Sequence, residues 1–149
     1  MTGVQTCALP ISYITISPLV DTNPVNEPHT FTANVFQDDG LPAGAPGDPV
    51  TGFGPAPNGT LVTFSFVQNT IGAVFVGGVN TCTTTAGSCT VQINSSSPGV
   101  LIVQATTTFN VGGLPITRTT GTGGLNSGNA RKVYEIGRAS CRERVYSSV

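Results

Sequence analysis

Apolar residues in the middle of the chain occupy every second position, in short runs that are separated by turn residues. The clearest runs are 29–35, 61–67, 88–93 and 99–106. A period of two is typical of β-strands that bury one face. The predicted inward positions are Phe31, Ala33, Val35, Val62, Phe64, Phe66, Cys89, Val91, Ile93, Leu101, Val103 and Ala105. These four runs are therefore predicted to be the central strands.

Weaker runs extend the pattern at 13–20, 73–76, 114–119 and 130–134. Pro18 interrupts the first of them, which an edge strand tolerates because its outer N–H groups need no partner. About seven or eight short strands with turn signals between them are typical of a sandwich of two β-sheets. The fold class predicted from the pattern is therefore all-β.

The segments between the runs are rich in turn-forming residues. Residues 38–40 (Asp-Asp-Gly) and 110–113 are predicted turns, whereas 121–129 is a predicted loop. Residues 41–59 are dense in Gly and Pro and are predicted to form a long surface loop. Sandwiches tolerate such loops because the entropy of loop closure rises slowly with length.

Composition agrees with the all-β prediction. The 149 residues include 19 Gly and 11 Pro but no Trp, and only 9% are charged. Thr and Val are abundant, and their β-branched side chains fit a pleated sheet better than a helix.

The two ends of the chain differ from its middle. Residues 2–11 (TGVQTCALPI) and 135–145 (EIGRASCRERV) resemble translated sequencing-library adapters. We therefore interpret 1–11 and 135–149 as adapter-derived and 12–134 as the domain. The basic residues near the C-terminus, Arg138, Arg142 and Arg144, then do not indicate a nucleic-acid-binding arm. The lack of a signal peptide likewise carries no information.

The charge of residues 12–134 is low and slightly acidic. Five acids, of which Asp21 and Glu27 are two, face three bases: Arg118, Arg131 and Lys132. Nucleic-acid binding is not expected, because no basic stripe exists to neutralise phosphates. Membrane insertion is not expected either, since no apolar run approaches the length of a transmembrane helix.

Two cysteines, Cys82 and Cys89, lie inside the predicted domain. If residues 84–87 form a four-residue hairpin loop, the two cysteines oppose each other, with Thr83 opposite Ser88. Opposed antiparallel residues lie about 4.5–5.5 Å apart at Cα, within disulfide range. We predict a structural disulfide, which implies an oxidising compartment and export. A buried reduced pair and a metal or redox pair are the alternatives.

Several segments resemble bacterial immunoglobulin-like repeats of the invasin/intimin type (the Big family). These segments are 21–33 (DTNPVNEPHTFTA), 57–64 (PNGTLVTF), 82–91 (CTTTAGSCTV), 98–105 and 129–134. The long 41–59 insertion departs from the family pattern, and the chain contains one repeat only. The resemblance implies an immunoglobulin-like sandwich that acts as a stalk or adhesive module, with neighbouring repeats as partners.

Catalytic and metal-binding chemistry finds little support in the sequence. His29 is the chain's one histidine, and it falls in phase with the inward face of its strand. We expect it at the rim of the core, with its hydrogen bonds satisfied. A nucleophilic triad or a zinc site would need further partners. The chain is accordingly predicted not to be an enzyme and to need no cofactor.

Two loop-based alternatives stay open. Asp38, Asp39 and Asp48 border the long loop, and carboxylates there could hold Ca²⁺, although Asp-Asp-Gly is more simply a turn. The loop 41–59 is also the preferred place for contact with a partner, with Phe53 as its aromatic residue.

Lys132 is the lysine of the closing strand. An intramolecular isopeptide bond to a buried Asn, as some surface modules form, is one interpretation of this residue. A solvated side chain is the simpler expectation.

The predicted function is a non-catalytic stalk or adhesion module of a cell-surface or secreted bacterial protein. Its ligand would be a host or cell-surface protein or a glycan. The alternatives are an accessory or carbohydrate-binding module of a secreted hydrolase and a decoration domain of a phage virion. Exposed aromatic platforms suit sugar binding, but Tyr13 and Tyr134 lie near the ends of the predicted domain. The sequence of the flanking DNA discriminates between these hypotheses.

Overall fold

The computed structural model describes residues 12–38 and 52–137. Eleven β-strands and one short 3-10 turn, Val76–Gly78, account for most of these residues. The strands are β1 Ser12–Ser17, β2 Val20–Pro24, β3 His29–Asp38, β4 Phe53–Pro55, β5 Leu61–Asn69, β6 Val74–Phe75, β7 Thr81–Thr83, β8 Ser88–Asn94, β9 Gly99–Val111, β10 Leu114–Thr119 and β11 Ala130–Glu135.

These strands form two sheets, which pack face to face as an immunoglobulin-like β-sandwich. The first sheet has the order β1-β3-β8-β6, and the second has the order β2-β11-β9-β5-β7. Each sheet has one further strand, which pairs with the part of a long strand that extends past its other neighbour. β4 pairs with the end of β3 beyond β8, and β10 pairs with the end of β9 beyond β11. The predicted two-sheet sandwich is confirmed.

The first strand segment is divided between the two sheets. β1 pairs with β3 in one sheet, the chain crosses over at Pro18 and Leu19, and β2 pairs with β11 in the other. Among the described strands, every pair is antiparallel except β2 with β11, which is parallel. Because β2 and β11 run in the same direction, the chain enters the sandwich at one end and leaves it at the opposite end.

The space between the sheets is filled by the residues that the alternation placed inward. Phe31, Val62, Phe64, Leu101 and Val103 are all at most 1% exposed. Phe66 and Cys89 are partly buried at the margin of this core. Alternation at period two therefore identified the inner faces of β3, β5, β8 and β9 correctly.

Three predicted boundaries need correction. Phe53–Pro55 is a strand and not a loop, because its backbone pairs with the end of β3, with Phe36 opposite Pro55. The second turn lies at Gly112-Gly113, so β9 extends further than predicted. The strands number more than eight, since short pieces such as β2 and β7 lack an alternating signature of their own.

The loop 121–129 lies along the outer edge of β1. The amide of Ile14 donates to Asn126 Oδ1 and that of Ile16 to Ser127 Oγ, both at 3.0 Å. In return, the amide of Ser127 donates to the Ile14 carbonyl at 3.1 Å. The outer backbone groups of this edge strand are therefore occupied.

Replacing a core side chain on β5 should destabilise the fold strongly. Phe64 is fully buried, so Phe64→Ala should lower the free energy of unfolding by about 3–5 kcal/mol, through lost transfer energy and the cavity left behind. Val67 on the same strand is 56% exposed, so Val67→Ala should cost about 0.5 kcal/mol or less. Urea denaturation followed by circular dichroism measures both. Equal losses would contradict the placement of Phe64 in the core.

Candidate functional site

The disulfide between Cys82 and Cys89 joins the two sheets. Their Cα atoms are 5.8 Å apart. Cys82 on β7 pairs with Val62 of one sheet, whereas Cys89 on β8 pairs with Ala33 of the other. The predicted bond is present in the structure, in an oxidised pair rather than a reduced one.

The hairpin predicted around this bond is wrong. Thr85, not Thr83, is bridged to Ser88, in a tight turn that contains Gly87. The chain therefore turns between the sheets and not within one. The physical reason is that β7 finds its hydrogen-bonding partner in β5, so residues 81–83 and 88–94 belong to different sheets.

A second group of side chains bridges the sheets near the end of the sandwich where the chain leaves. We call Asp21, Asn23, Glu27, His29 and Lys132 the Lys132 cluster. Lys132 Nζ donates to Asp21 Oδ2 at 3.1 Å and also donates to Asn23 Oδ1. Lys132 is 0% exposed, so the expectation of a solvated strand lysine is wrong.

The backbone explains this burial. Lys132 lies between Ala130 and Tyr134 on the inward face of β11, and both of these neighbours are buried as well. The parallel partner β2 presents Asp21 opposite Lys132. Asn23 is two residues further along β2 and therefore lies on the same face as Asp21. Strand register alone thus brings an ammonium, a carboxylate and a carboxamide together.

His29 enters the cluster from the first sheet. Its Nδ1 lies 3.1 Å from Asp21 Oδ2, whereas its Nε2 is buried and has no hydrogen-bond partner within residues 12–38 and 52–137. The prediction of a histidine at the core rim is confirmed in position, but only one of its nitrogens is satisfied. Burial, followed by the nearby charge of Lys132, lowers the pKa of His29 below its ordinary value. The imidazole is therefore neutral at neutral pH, and its Nδ1 stays in polar contact with the Asp21 carboxylate.

Charge and burial act in opposite directions on Asp21 and Lys132. The hydrogen bond from Lys132 lowers the pKa of Asp21, whose side chain still reaches solvent. Burial lowers the pKa of Lys132, and its contact with Asp21 offsets part of that effect. Asp21 is consequently the ionised partner that holds the ammonium in a buried position.

The carboxamide of Asn23 is held from both sides. Its Oδ1 accepts from Lys132, and its Nδ2 donates to Glu27 Oε1 at 2.6 Å. The ring of Tyr134 lies beside the cluster, 5.3 Å from Lys132 Nζ to the ring centroid. Burial raises the pKa of Tyr134 to about 12, so its hydroxyl stays protonated and donates to the Ile93 carbonyl.

Sequence reasoning singled out His29 and Lys132 but missed Asp21 and Asn23. A signal was present, since a D-x-N spacing on a strand places both side chains on one face. What the sequence lacked was the register that sets this strand beside β11.

The proposed calcium site at Asp38, Asp39 and Asp48 stays a prediction, because only Asp38 lies among the described residues. Asp38 ends β3, whereas Asp39 and Asp48 lie outside the described residues, as does most of the 41–59 loop. No group of three or more His, Cys, Asp or Glu side chains suited to a metal occurs among residues 12–38 and 52–137.

The described end of the 41–59 loop packs against β1 and β3. Phe53 meets Tyr13 edge to face, with the ring centroids 5.1 Å apart. Tyr13 in turn stacks on Phe36 at 4.4 Å. Phe53, expected as a partner-binding anchor, therefore contributes to the packing that fixes β4.

The adapter interpretation of the two termini stays a prediction. The last strand, β11, includes Glu135, which is one residue beyond the predicted end of the domain.

The chain was compared with protein families, curated proteins and solved structures. No protein-family model matches the sequence, and no curated protein matches it significantly. The solved structure "D00-D0 domain of Intimin" is similar at 21% identity and a TM-score of 0.43, covering 78% of this chain and 50% of that chain. Among the described residues, no helix has the length and apolarity needed to cross a membrane.

Removing the inter-sheet disulfide should destabilise the sandwich. Cys82→Ala with Cys89→Ala should lower the free energy of unfolding by roughly 2.5 kcal/mol, the chain-entropy value for so short a loop. Thermal melts with and without reductant measure the effect, and the double variant should no longer respond to reductant. Cys7→Ser with Cys141→Ser is the matched control and should keep the response. A response lost only in this control would contradict the assignment.

His29 should make the fold less stable in mild acid. The unfolded chain takes up a proton near pH 6.5, the ordinary pKa of histidine, whereas the folded chain resists protonation until a lower pH. The free energy of unfolding should therefore be highest above pH 6.5 and fall as the pH drops to 5. Denaturant titrations at several pH values measure this profile. His29→Gln should flatten it over that range, and an unchanged profile in the variant would contradict the assignment.

Proposed function

We propose that this chain is a non-catalytic, load-bearing spacer module of the adhesin type, in a surface or secreted protein of a bacterium. The observation that carries the proposal is the parallel pairing of β2 with β11. The chain enters at one end of the sandwich and leaves at the other, so copies joined in tandem extend in a line.

The parallel pair also determines how the domain meets a pulling force. Five consecutive residue pairs join the two strands, from Val20 with Arg131 to Pro24 with Glu135. Tension applied along the chain slides β2 and β11 past each other. All their hydrogen bonds are then loaded together, whereas a hairpin pulled from its open end loses its bonds one at a time.

The remaining supports are the disulfide and the Lys132 cluster. Each joins one sheet to the other, and the cluster lies beside the two strands that take the load. A disulfide of this kind suits an oxidising, extracellular compartment.

Neighbouring repeats are the partners that this function requires, and a distal ligand-binding domain would contact a host protein or a glycan. The accessory-module and phage-decoration alternatives stay hypotheses, because they place the same sandwich next to other domains.

The proposal predicts a directional resistance to force. The test uses a Lys132→Met chain, in which the side chain of Lys132 no longer links β11 to β2. The measured force then reports on the backbone pairing of the two strands. Handles at the two termini load β2 and β11 in shear, whereas handles at the exposed residues Val20 and Arg131 peel the same pair apart. Single-molecule force spectroscopy should give a rupture force several times higher for the terminal handles. Equal forces in the two geometries would contradict a load-bearing role.

The flanking DNA in the source sample gives a second test. Tandem copies of this pattern that end in a membrane or wall anchor are the expected result. A neighbouring hydrolase domain, or a set of virion genes, would overturn the spacer function in favour of an accessory or decoration module.

A further inference from the structure

We propose that Lys132 and Asn23 become joined by an intramolecular isopeptide bond, which the folded chain forms by itself with Asp21 as the proton carrier. The bond is a modification of β2 and β11 that stands whether or not the module bears load, because it follows from the arrangement of the Lys132 cluster.

The first support is the environment of the amine. Lys132 is 0% exposed, and a lysine is almost never fully buried unless it is paired. Burial of a charged pair costs desolvation energy that the pair's attraction offsets only in part. A reaction that converts the ammonium into a neutral amide removes this cost permanently. Burial also lowers the pKa of Lys132, which favours the neutral amine that attacks.

The second support is the position of the carboxamide. Lys132 Nζ already contacts Asn23, and the side chain of Asn23 is fixed at its other end by Glu27 at 2.6 Å. Pairing with Asp21 alone would satisfy the charge of Lys132, so the ion pair does not explain the ordered amide beside it. Reacting groups held in place behave as if at effective concentrations of about 10⁵–10⁸ M, which suits an otherwise slow exchange of amides.

The third support is a proton acceptor within reach of the amine. Asp21 Oδ2 lies 3.1 Å from Lys132 Nζ, and His29 Nδ1 lies 3.1 Å from the same oxygen. The close contact with His29 holds the carboxylate near the amine. Asp21 is therefore oriented toward the amine although part of its side chain is exposed.

The reaction balances without an oxidant or a co-reactant. The Lys132 ammonium gives one proton to the Asp21 carboxylate, and the neutral amine attacks Cγ of Asn23. The amine loses a second proton as the new C–N bond forms. The bond from Cγ to Nδ2 breaks, and Nδ2 leaves with the transferred protons. An ammonium and an asparagine carboxamide thus give one secondary amide and one ammonium ion.

The bond would enclose almost the whole described domain. Asn23 and Lys132 are 109 positions apart, so the new amide closes a ring that contains the core strands β3 to β10. Tension along the chain would then pass from β2 to β11 through covalent bonds and would bypass the sandwich.

Intact-mass spectrometry of the full chain, denatured and with its disulfide reduced, tests the proposal. The wild-type protein should be lighter than its sequence by one ammonia. Proteolysis and fragmentation should recover a branched peptide in which Lys132 is linked to Asn23. Lys132→Arg and Asn23→Ala should each have the full sequence mass.

Two further variants separate this bond from other causes of the same mass change. Asn58-Gly59 is a sequence that can lose ammonia by cyclising on itself, so Asn58→Ala serves as the matched control and should keep the loss. Asp21→Ala should abolish the loss in a chain that is still folded by circular dichroism, because the proton carrier is gone.

Three results would overturn the proposal. The first is a wild-type chain with its full sequence mass. The second is a loss of ammonia that persists in Lys132→Arg. The third is a loss of water in place of ammonia, with Lys132 linked to Asp21. None of these results bears on the directional force test, so the bond and the spacer function can fail independently.

Discussion

The parallel pairing of β2 with β11 is the constraint on which the rest of this sandwich depends. It requires the chain to leave the first sheet after β1 and join the second, which Pro18 and Leu19 accomplish in two residues. It sets the ends of the domain at opposite poles. It also opposes Asp21 to Lys132, and so determines which polar groups are buried. One strand register thus governs both the direction of the domain and its internal electrostatics.

The two links between the sheets differ in their chemistry and in their position. The disulfide lies where β5 and β3 place β7 and β8 side by side, and it is insensitive to pH in the neutral range. The Lys132 cluster is ionic, and both the neutral state of His29 and the charge of Asp21 depend on protonation. Acid therefore weakens the contact between His29 and Asp21 and leaves the disulfide intact.

Much of the fold was predictable because strand alternation depends on local physics. Residues such as Phe31, Phe64 and Val103 appear in the sequence as one-sided strands, and the structure buries them. The partners of each strand were not predictable in the same way. Pairing is a long-range property, so the hairpin assumed around Cys82 was wrong although the bond itself was right. For the same reason Lys132 looked solvated, since the sequence of its own strand gives no indication of what the neighbouring strand presents to it.

The loop that covers β1 has a consequence for any assembly of such modules. Adjacent copies in a tandem array face one another at high local concentration, and an open strand edge is where β-proteins aggregate or exchange strands. Asn126 and Ser127 already occupy the outer backbone groups of Ile14 and Ile16. A neighbouring copy cannot add a strand there without first displacing them. The loop therefore protects this strand edge from pairing with another chain.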